Sequence, residues 1–595
     1  MRIFFYEKKC ACNKTLIFFA IGVLLFGIYY LDRGIDKHYE YKKKCAEFCS
    51  AEKENIEKIK SSIDQGIRGR FIFNFLAAPS QLYGMFYYSA TFSSLHSMLD
   101  NSGVLFDNSS KIDSSTLGKQ SVVKFDFSIF IYIILPFLVS FYGFFYFKNI
   151  IIHSRLYLNY SSPSAIIWNF LLSRWVHFFR AMILLTCIVF VWFSLRGISL
   201  SFDNIIHVLL FIFVATLVIT FIFFIAVLAK IVHSDFLRYI LIFVVIPFFV
   251  LFIPGELNEA VTNKPIKETK STYKKDHEKF TIFSDYETML SNKVNAAETL
   301  PEKRRLYKDL NNQYIDQEFK EMSNLEKTMI LQADHIVNKI YWINALVPTA
   351  FYSTICCELS SMGYSSYLDY YREIFQKQPE IVEGYIRDHK IINFDYLHQT
   401  KSGLPRYFLF GVIIAVLYCI AILFVILFFY KRELFPHIKK KFKDIIINGQ
   451  KGDYILLASE WKDVFDKLLN VCFSKEEFDG KITVDGDSIC KKEVFWLPDL
   501  SRTDIQNLPI VTGGEKIDKP FSKLSFDEIV KLFPKIKSCD VLILDNIKNH
   551  SIKSNKDIFI LELNPNLVKT DYTDLYVVYP NKDCTGYEVK LEKKI

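Results

Sequence analysis

Residues Gly452–Ile489 read GDYILLASEWKDVFDKLLNVCFSKEEFDGKITVDGDSI. The apolar run Tyr454–Leu457 has the length of a short buried strand. A polar turn follows, then an amphipathic helix ending near Val471, and Phe478–Gly486 forms a second strand that runs into a turn. The stretch therefore predicts a strand–turn–helix–strand unit at the start of an α/β domain.

This order of elements resembles the opening of an ATPase domain of the ABC-transporter class, in which a phosphate loop follows the first strand. A loop of pattern G-x-x-x-x-G-K-[ST] needs glycine so that backbone N–H groups approach the phosphates, and lysine to reach them. The matching positions hold Ser459, Val464, Phe465 and Asp466. Because Phe465 supplies no cation and Asp466 adds negative charge, we expect that this loop does not hold ATP.

The later motifs of the resemblance are also altered. Asp499 follows Val494–Leu497 where such ATPases carry a glutamine. Asp545 remains as a Mg²⁺ partner, but Asn546 replaces the carboxylate that would polarise the attacking water. Asn564 replaces the switch histidine. The resemblance therefore implies a catalytically dead, ATPase-like domain, and an unrelated cytosolic α/β domain remains the alternative.

The composition indicates a membrane protein. Hydrophobic residues make up 51% of the 595 residues and 57 residues are Phe; Phe, Ile and Leu are gathered into long uncharged runs. The net charge of +8 comes from interspersed Lys, Asp and Glu, which gives no nucleic-acid footprint. The cysteines show no metal-ligand spacing, so no metal site is expected. Cys45 and Cys49, and the adjacent Cys356 and Cys357, are expected to stay reduced.

The predicted fold is an α-helical polytopic membrane protein with about six transmembrane helices, two mainly helical extracytoplasmic domains and a C-terminal α/β ABC-ATPase-like domain. Basic residues at both Met1–Lys14 and Lys230–Arg238 predict that these segments are cytosolic. The predicted divisions are 1–31 (cytosolic N-terminus and first span), 32–126 (first extracytoplasmic domain), 127–254 (spans two to five), 255–406 (second extracytoplasmic domain), 407–430 (sixth span) and 431–595 (cytosolic ATPase-like domain).

An amphipathic stretch at residues 161–177 begins with Ser162-Pro163, a favourable helix start. One face of this helix carries apolar side chains at helical spacing: Trp168, Leu171, Leu172 and Trp175. This helix resembles the short helix that docks on the ATPase in type-2 export permeases of the ABC class. An interfacial helix anchored by tryptophan is the equal alternative.

Together these features predict the permease subunit of an ATP-driven ABC exporter in the cytoplasmic membrane, with both termini cytosolic. It would work as a homo- or heterodimer with an ABC ATPase subunit or half-transporter, which would bind ATP. The spans carry no acidic residue in their cores, which argues against a proton- or sodium-coupled carrier. The alternatives are a mechanotransmission or sensory membrane protein with a structural pseudo-ATPase domain, and a membrane enzyme, for which we find no acidic or histidine cluster.

Overall fold

Helices make up most of the described chain and strands form two larger sheets. A computed structural model describes residues 14–65, 71–87, 92–100, 105–107, 110–111, 126–146, 154, 157–159, 161–198, 200–232, 234–249, 292–294, 299–388, 396–435, 441–444, 446–450, 453–458, 481–497, 525–545, 559–564, 574–580 and 586–594.

The helices, in chain order, are α1 (Lys14–Asp64), α2 (Phe127–Ile129), α3 (Leu135–Tyr146), α4 (Pro163–Leu195), α5 (Phe202–Ile231), α6 (Asp235–Ile240), α7 (Leu300–Ala345), α8 (Pro348–Leu359), α9 (Tyr364–Asp388), α10 (Phe408–Leu434) and α11 (Phe526–Leu532). A π-helical turn, Phe130–Ile134, joins α2 to α3, and a second, Leu241–Val245, follows α6.

The strands are β1 (Ile72–Ala78), β2 (Phe92–Ser94), β3 (His96–Asp100), β4 (Leu105–Asp107), β5 (Ser110–Lys111), β6 (Leu397–Gln399), β7 (Lys441–Asp444), β8 (Ile446–Gly449), β9 (Tyr454–Ala458), β10 (Lys481–Val484), β11 (Asp487–Ser488), β12 (Val494–Leu497), β13 (Val541–Asp545), β14 (Phe559–Asn564), β15 (Asp574–Pro580) and β16 (Gly586–Lys594).

Three helices in the described part of the chain are long and apolar enough to cross a membrane: α4, α5 and α10. The central helix is α5, because 78% of its most apolar window is buried, against 28% for α4 and 17% for α10. Its core residues are continuous with those of α3, α4 and α10. Three of the six predicted spans thus have candidate helices, and the first, second and fifth remain predictions.

Helix α1 is unbroken over 51 residues, which join the predicted first span to the charged helix predicted after it. From Gly34 onwards it packs on a 3₁₀ turn at Tyr83–Met85 and on β1. Glu52 is buried and accepts hydrogen bonds from the backbone N–H (2.9 Å) and the amide (2.8 Å) of Asn74 in β1. These contacts hold the helix against the sheet.

The regions predicted as two separate extracytoplasmic domains share one sheet, with order β4–β3–β1–β6. Strand β1 pairs antiparallel with β3 and parallel with β6, which lies about three hundred residues later (Leu76 opposite Leu397). The sheet, the second half of α1, α7 and α9 enclose a core that we call the tyrosine-rich domain. Its buried tyrosines are Tyr41, Tyr83, Tyr341, Tyr364, Tyr367, Tyr370 and Tyr371. Among the described residues the two regions are therefore mainly helical, as predicted, but they share this sheet and are joined by it.

The C-terminal region contains a seven-stranded sheet of order β12–β13–β14–β9–β15–β16–β7. The first five strands in this order are parallel, and β16 runs antiparallel to β15. A smaller sheet of order β11–β10–β8 accompanies it. The predicted strands at Tyr454–Leu457 and around Lys481–Val484 are present as β9 and β10. The predicted helix between them lies outside the described residues.

Candidate functional site

The carboxyl ends of four neighbouring parallel strands meet at one edge of the large sheet. Asp545 at the end of β13 lies opposite Leu563 in β14, and Asn564 at the end of β14 lies opposite Ala458 in β9. On the other side of β13, Leu497 at the end of β12 is opposite Leu544. In open parallel sheets, ligands bind beyond this edge. We call it the strand-end edge.

Two of the predicted nucleotide-motif residues, Asp545 and Asn564, thus end adjacent strands at the strand-end edge. Strand β9 ends one residue before Ser459, the first phosphate-loop position. The remaining predicted positions, Ser459, Val464, Phe465, Asp466, Asp499 and Asn546, lie outside the described residues. The strands that precede the motifs therefore end side by side at the strand-end edge, although the motifs are up to about a hundred residues apart in sequence.

The edge strand β12 is held by a side chain from a distant part of the chain. Asn159 donates from its amide Nδ2 to the Trp496 carbonyl (2.9 Å) and accepts from the Trp496 backbone N–H at Oδ1 (3.0 Å). Asn159 thereby occupies the two hydrogen-bonding groups that Trp496 would offer to a further strand. The Lys535 ammonium donates to the Asn159 carbonyl (2.6 Å). We call this set of contacts the Asn159 clamp.

The Asn159 clamp is continuous with the helix bundle. Asn159 and Trp496 are both buried, and Tyr157, two residues before Asn159, is fully buried with its ring 5.7 Å from that of Phe170 in α4. Nearby, burial raises the pKa of the Cys539 thiol to about 12, which leaves that thiol protonated and unreactive. The clamp therefore connects the C-terminal sheet to the beginning of α4 by buried contacts.

Sequence reasoning missed Asn159, since a single asparagine in a short connection has no periodicity and no motif. The nearest signal was its position, immediately before the Ser162-Pro163 helix start. The strand that Asn159 contacts, β12, was predicted from the sequence, but its position at the edge of the sheet was not.

The predicted coupling residues lie on α4, which continues without a break through the predicted third span. Leu171 is buried, whereas Trp168 and Leu172 are about half exposed. The Trp175 indole N–H donates to Thr220 of α5 (3.0 Å), and its ring stacks on Phe179. All four predicted residues line a groove between α4, α5 and α10. The structure therefore places them along the helix bundle, and contact with an ATPase remains a prediction.

The other end of α4 is bound to α1. The Trp192 indole N–H donates to Asp32 (2.9 Å), and the Arg196 guanidinium forms ion pairs with Asp32 and Asp36. The Tyr39 hydroxyl donates to the Arg196 carbonyl. Helix α4 is thus fixed to the C-terminal sheet near its first residue and to α1 beyond its last.

The described residues contain no group of three or more His, Cys, Asp and Glu side chains that could hold a metal ion. Cys45, Cys49, Cys356 and Cys357 are free thiols. The chain matches no protein-family model and no curated protein sequence.

Proposed function

We propose that the chain is the membrane-spanning permease subunit of an ATP-driven ABC export system and relies on a partner ATPase for hydrolysis. The helix bundle would form the membrane part in the cytoplasmic membrane, and the tyrosine-rich domain would lie outside it. The C-terminal sheet would be a cytosolic, ATPase-like domain without activity of its own.

The observation that carries the proposal is the strand order at the strand-end edge. Strand β9 stands between β14 and β15, and β14 separates it from β13, which ends in Asp545. This order differs from both common doubly wound orders, in which the first strand borders the second. The resemblance requires the strands that carry the nucleotide motifs to end at one edge of one sheet, and β9, β13 and β14 do so. The topology therefore supports the resemblance independently of the motif residues.

The donor set does not fit ATP. A triphosphate needs backbone N–H groups, a lysine and a hydroxyl for Mg²⁺, and the corresponding positions hold Val464, Phe465 and Asp466. Hydrolysis would thus occur in the partner, and this domain would contribute contact surface to the pair.

The Asn159 clamp supports a mechanical role for that contact. When paired ATPase domains close, a rigid-body displacement of the C-terminal sheet would move the chain at Asn159 with it. Because α4 is an unbroken helix of 33 residues, the displacement would reach Arg196 at its far end. The export step would therefore follow from movement of α4 against α5.

The proposal is tested with the full-length chain purified in detergent. Calorimetric titration with Mg²⁺-ATP is expected to show no binding at millimolar concentration. The tagged chain, isolated from its own membranes, is expected to co-purify with a protein that has an intact phosphate loop. ATP hydrolysis by that complex should stop when the partner's phosphate-loop lysine is replaced. A complex without such an ATPase, or ATP binding by the chain alone, would contradict the proposal.

One observation favours the mechanotransmission alternative. The 51-residue α1 is a single rigid element from the predicted first span to the Glu52–Asn74 contact in the tyrosine-rich domain. Such a helix would carry a displacement outwards without any transported substrate. Under this alternative the co-purified ATPase would still be present, but reconstituted vesicles would show ATP-dependent change in the accessibility of the tyrosine-rich domain and no substrate export.

A further inference from the structure

A half-open groove of about 700 Å³ runs between α4, α5 and α10. On α4 it extends from Trp168 to Phe190, about 33 Å at 1.5 Å per residue. Its volume lies within the usual range for ligand sites of about 300–1,000 Å³. Its wall includes half-exposed apolar side chains from all three helices, such as Ile183, Phe213 and Ile420.

The lining has few polar groups, and most of them are already hydrogen-bonded within the protein. Three threonines line the groove, and the hydroxyls of Thr186, Thr216 and Thr220 each donate to a carbonyl of their own helix at 2.7–2.8 Å. The Trp175 indole N–H donates a hydrogen bond to the Thr220 hydroxyl. No Asp, Glu, Lys or Arg lines the groove. An occupant would therefore be held along this wall mainly by apolar contacts.

In the described part of the chain, one exposed cation flanks the groove about midway between its limits at Trp168 and Phe190 on α4. Arg180 is exposed on α4 and precedes the groove residues Ile183 and Cys187 by three and seven positions, which places it on the same side of the helix. No described residue forms a hydrogen bond or ion pair with its guanidinium. A guanidinium on this side of the helix is available to an anion that enters the groove.

The depth of Arg180 follows from Arg196, which Asp32 and Asp36 hold at the far end of α4. The two arginines are sixteen residues apart, about 24 Å along the helix. With Arg196 at one interface of a hydrocarbon layer of about 30 Å, Arg180 lies about 6 Å short of the other, within reach of a snorkelling side chain. From Arg180 to Phe190 the groove extends about 15 Å, the depth of one leaflet.

We propose that the groove binds an anionic phospholipid of the cytoplasmic leaflet, with its phosphate on Arg180 and an acyl chain lying towards Phe190. The charge of Arg180 and the uncharged wall between Arg180 and Phe190 complement the two parts of such a lipid. This inference rests on the membrane-spanning arrangement proposed above, but it does not require a partner ATPase.

The experiment is native mass spectrometry of the full-length chain in detergent, titrated with phosphatidylglycerol or phosphatidylcholine of identical acyl chains. Phosphatidylglycerol is expected to bind preferentially, and Arg180→Gln should weaken it about five-fold, as for one interfacial charge. Ile183→Trp, which fills the groove from a half-exposed position, should reduce binding of both lipids.

Matched controls are Arg432→Gln, an exposed arginine in the last turn of α10, and Val191→Trp, an exposed position on α4 that does not line the groove. Both should keep the preference for phosphatidylglycerol. Equal binding of the two lipids, unchanged by Arg180→Gln and Ile183→Trp, would mean bulk lipid contact only and overturn the proposal. Protein–protein cross-links from a cysteine at Ile420 would show that a second copy covers the groove, and would also overturn it. Loss of lipid specificity while the ATPase still co-purifies would leave the proposed function standing.

Discussion

At the scale of single residues, the most specific prediction concerns the hydrogen bonds between Asn159 and Trp496. Asn159→Ala leaves the N–H and carbonyl of Trp496 without their partners, and each unpaired buried polar group costs about 1–3 kcal/mol. We therefore expect the Trp496 amide to lose protection in hydrogen exchange of the full-length protein. In the proposed complex with a partner ATPase, the same variant should allow ATP hydrolysis without movement of α4.

Asn169→Ala is the control for this measurement. Asn169 lies ten residues later, and its amide donates only to the Ala165 carbonyl of its own helix (2.7 Å). Its replacement should leave exchange at Trp496 unchanged. If Asn159→Ala also left the Trp496 amide protected, the C-terminal sheet would have to be held by other contacts, and the Asn159 clamp would lose its assigned role.

A second residue-scale prediction concerns Glu358, which is buried in α8 outside the three candidate spans. It accepts hydrogen bonds from the Tyr341 hydroxyl (2.5 Å) and the Tyr364 N–H (3.1 Å). Burial nevertheless raises the pKa of Glu358 above its ordinary value of 4.5. At pH values between 4.5 and the raised pKa, Glu358 binds more protons in the folded state than in the unfolded state. The contribution of Glu358 to the free energy of unfolding therefore falls as pH rises.

Glu358→Gln should therefore remove this component of the pH dependence. Its oxygen can still accept from Tyr341 and Tyr364, so the melting temperature of the variant should fall less than that of the wild type when pH rises from 4.5 towards neutral. Glu358→Ala, which leaves both donors unpaired, should lower stability by about 1–3 kcal/mol at every pH. Parallel melting curves for wild type and Glu358→Gln across this range would refute the assignment.

At the scale of elements, α1 approaches the turn at Tyr83–Met85 through two glycines. A Cβ added to Gly34 would lie 1.8 Å from the Gly84 carbonyl oxygen, so the backbones would have to separate. Gly34→Ala is expected to destabilise the protein by about 1–3 kcal/mol, the usual cost of overpacking. Gly22→Ala, on the same helix with open space around it, should be neutral or stabilising because alanine favours helices. Equal melting temperatures of the two variants would contradict this packing.

The sequence predicted elements better than it predicted their partners. The apolar run at Tyr454–Leu457 was enough to predict β9, and Ser162-Pro163 marked the start of α4, because these signals are local. The pairing of β1 with β6 was not predictable in this way, since β6 is only three residues long and lies far along the chain. Strands β1 and β3 were predicted as part of a largely helical segment because their apolar residues do not alternate clearly.

In the candidate site, too, the local features were predictable from the sequence and the contacts between distant segments were not. Asp545 and Asn564 were found from the apolar strands that precede them, and the sheet register brings these strand ends to one edge. The Asn159 clamp depends on where a strand edge meets a connection from another domain, and no local pattern records that meeting. The groove wall at Trp168 and Trp175 had a visible helical stripe, but the stripe alone could not distinguish a docking face from a bundle face.

At the scale of the whole molecule, internal contacts constrain which segments share a side of the membrane. Gln81 accepts hydrogen bonds from the Ser201 backbone N–H (3.1 Å) and the Asn204 amide (2.9 Å) at the start of α5. Ser402, just before α10, donates to Asn204 (2.6 Å). The tyrosine-rich domain therefore joins the first ends of α5 and α10, whereas Asn159 joins the beginning of α4 to the C-terminal sheet.

These contacts predict that the tyrosine-rich domain and the C-terminal sheet lie on opposite sides. Exposed positions for cysteine labelling are Lys53 and Arg305, in the helices α1 and α7 that contribute to the tyrosine-rich domain, and Lys491, ahead of β12. With the unsubstituted protein as the blank for native thiols, an impermeant maleimide added to intact cells should label Lys53→Cys and Arg305→Cys. Lys491→Cys should react only after the membrane is permeabilised, since β12 is fixed to Asn159, on the side predicted to be cytosolic. Labelling of Arg305→Cys only after permeabilisation would contradict the pairing of β6 with β1 in a single domain. Labelling of Lys491→Cys in intact cells would contradict the cytosolic location of the ATPase-like domain in the proposed function.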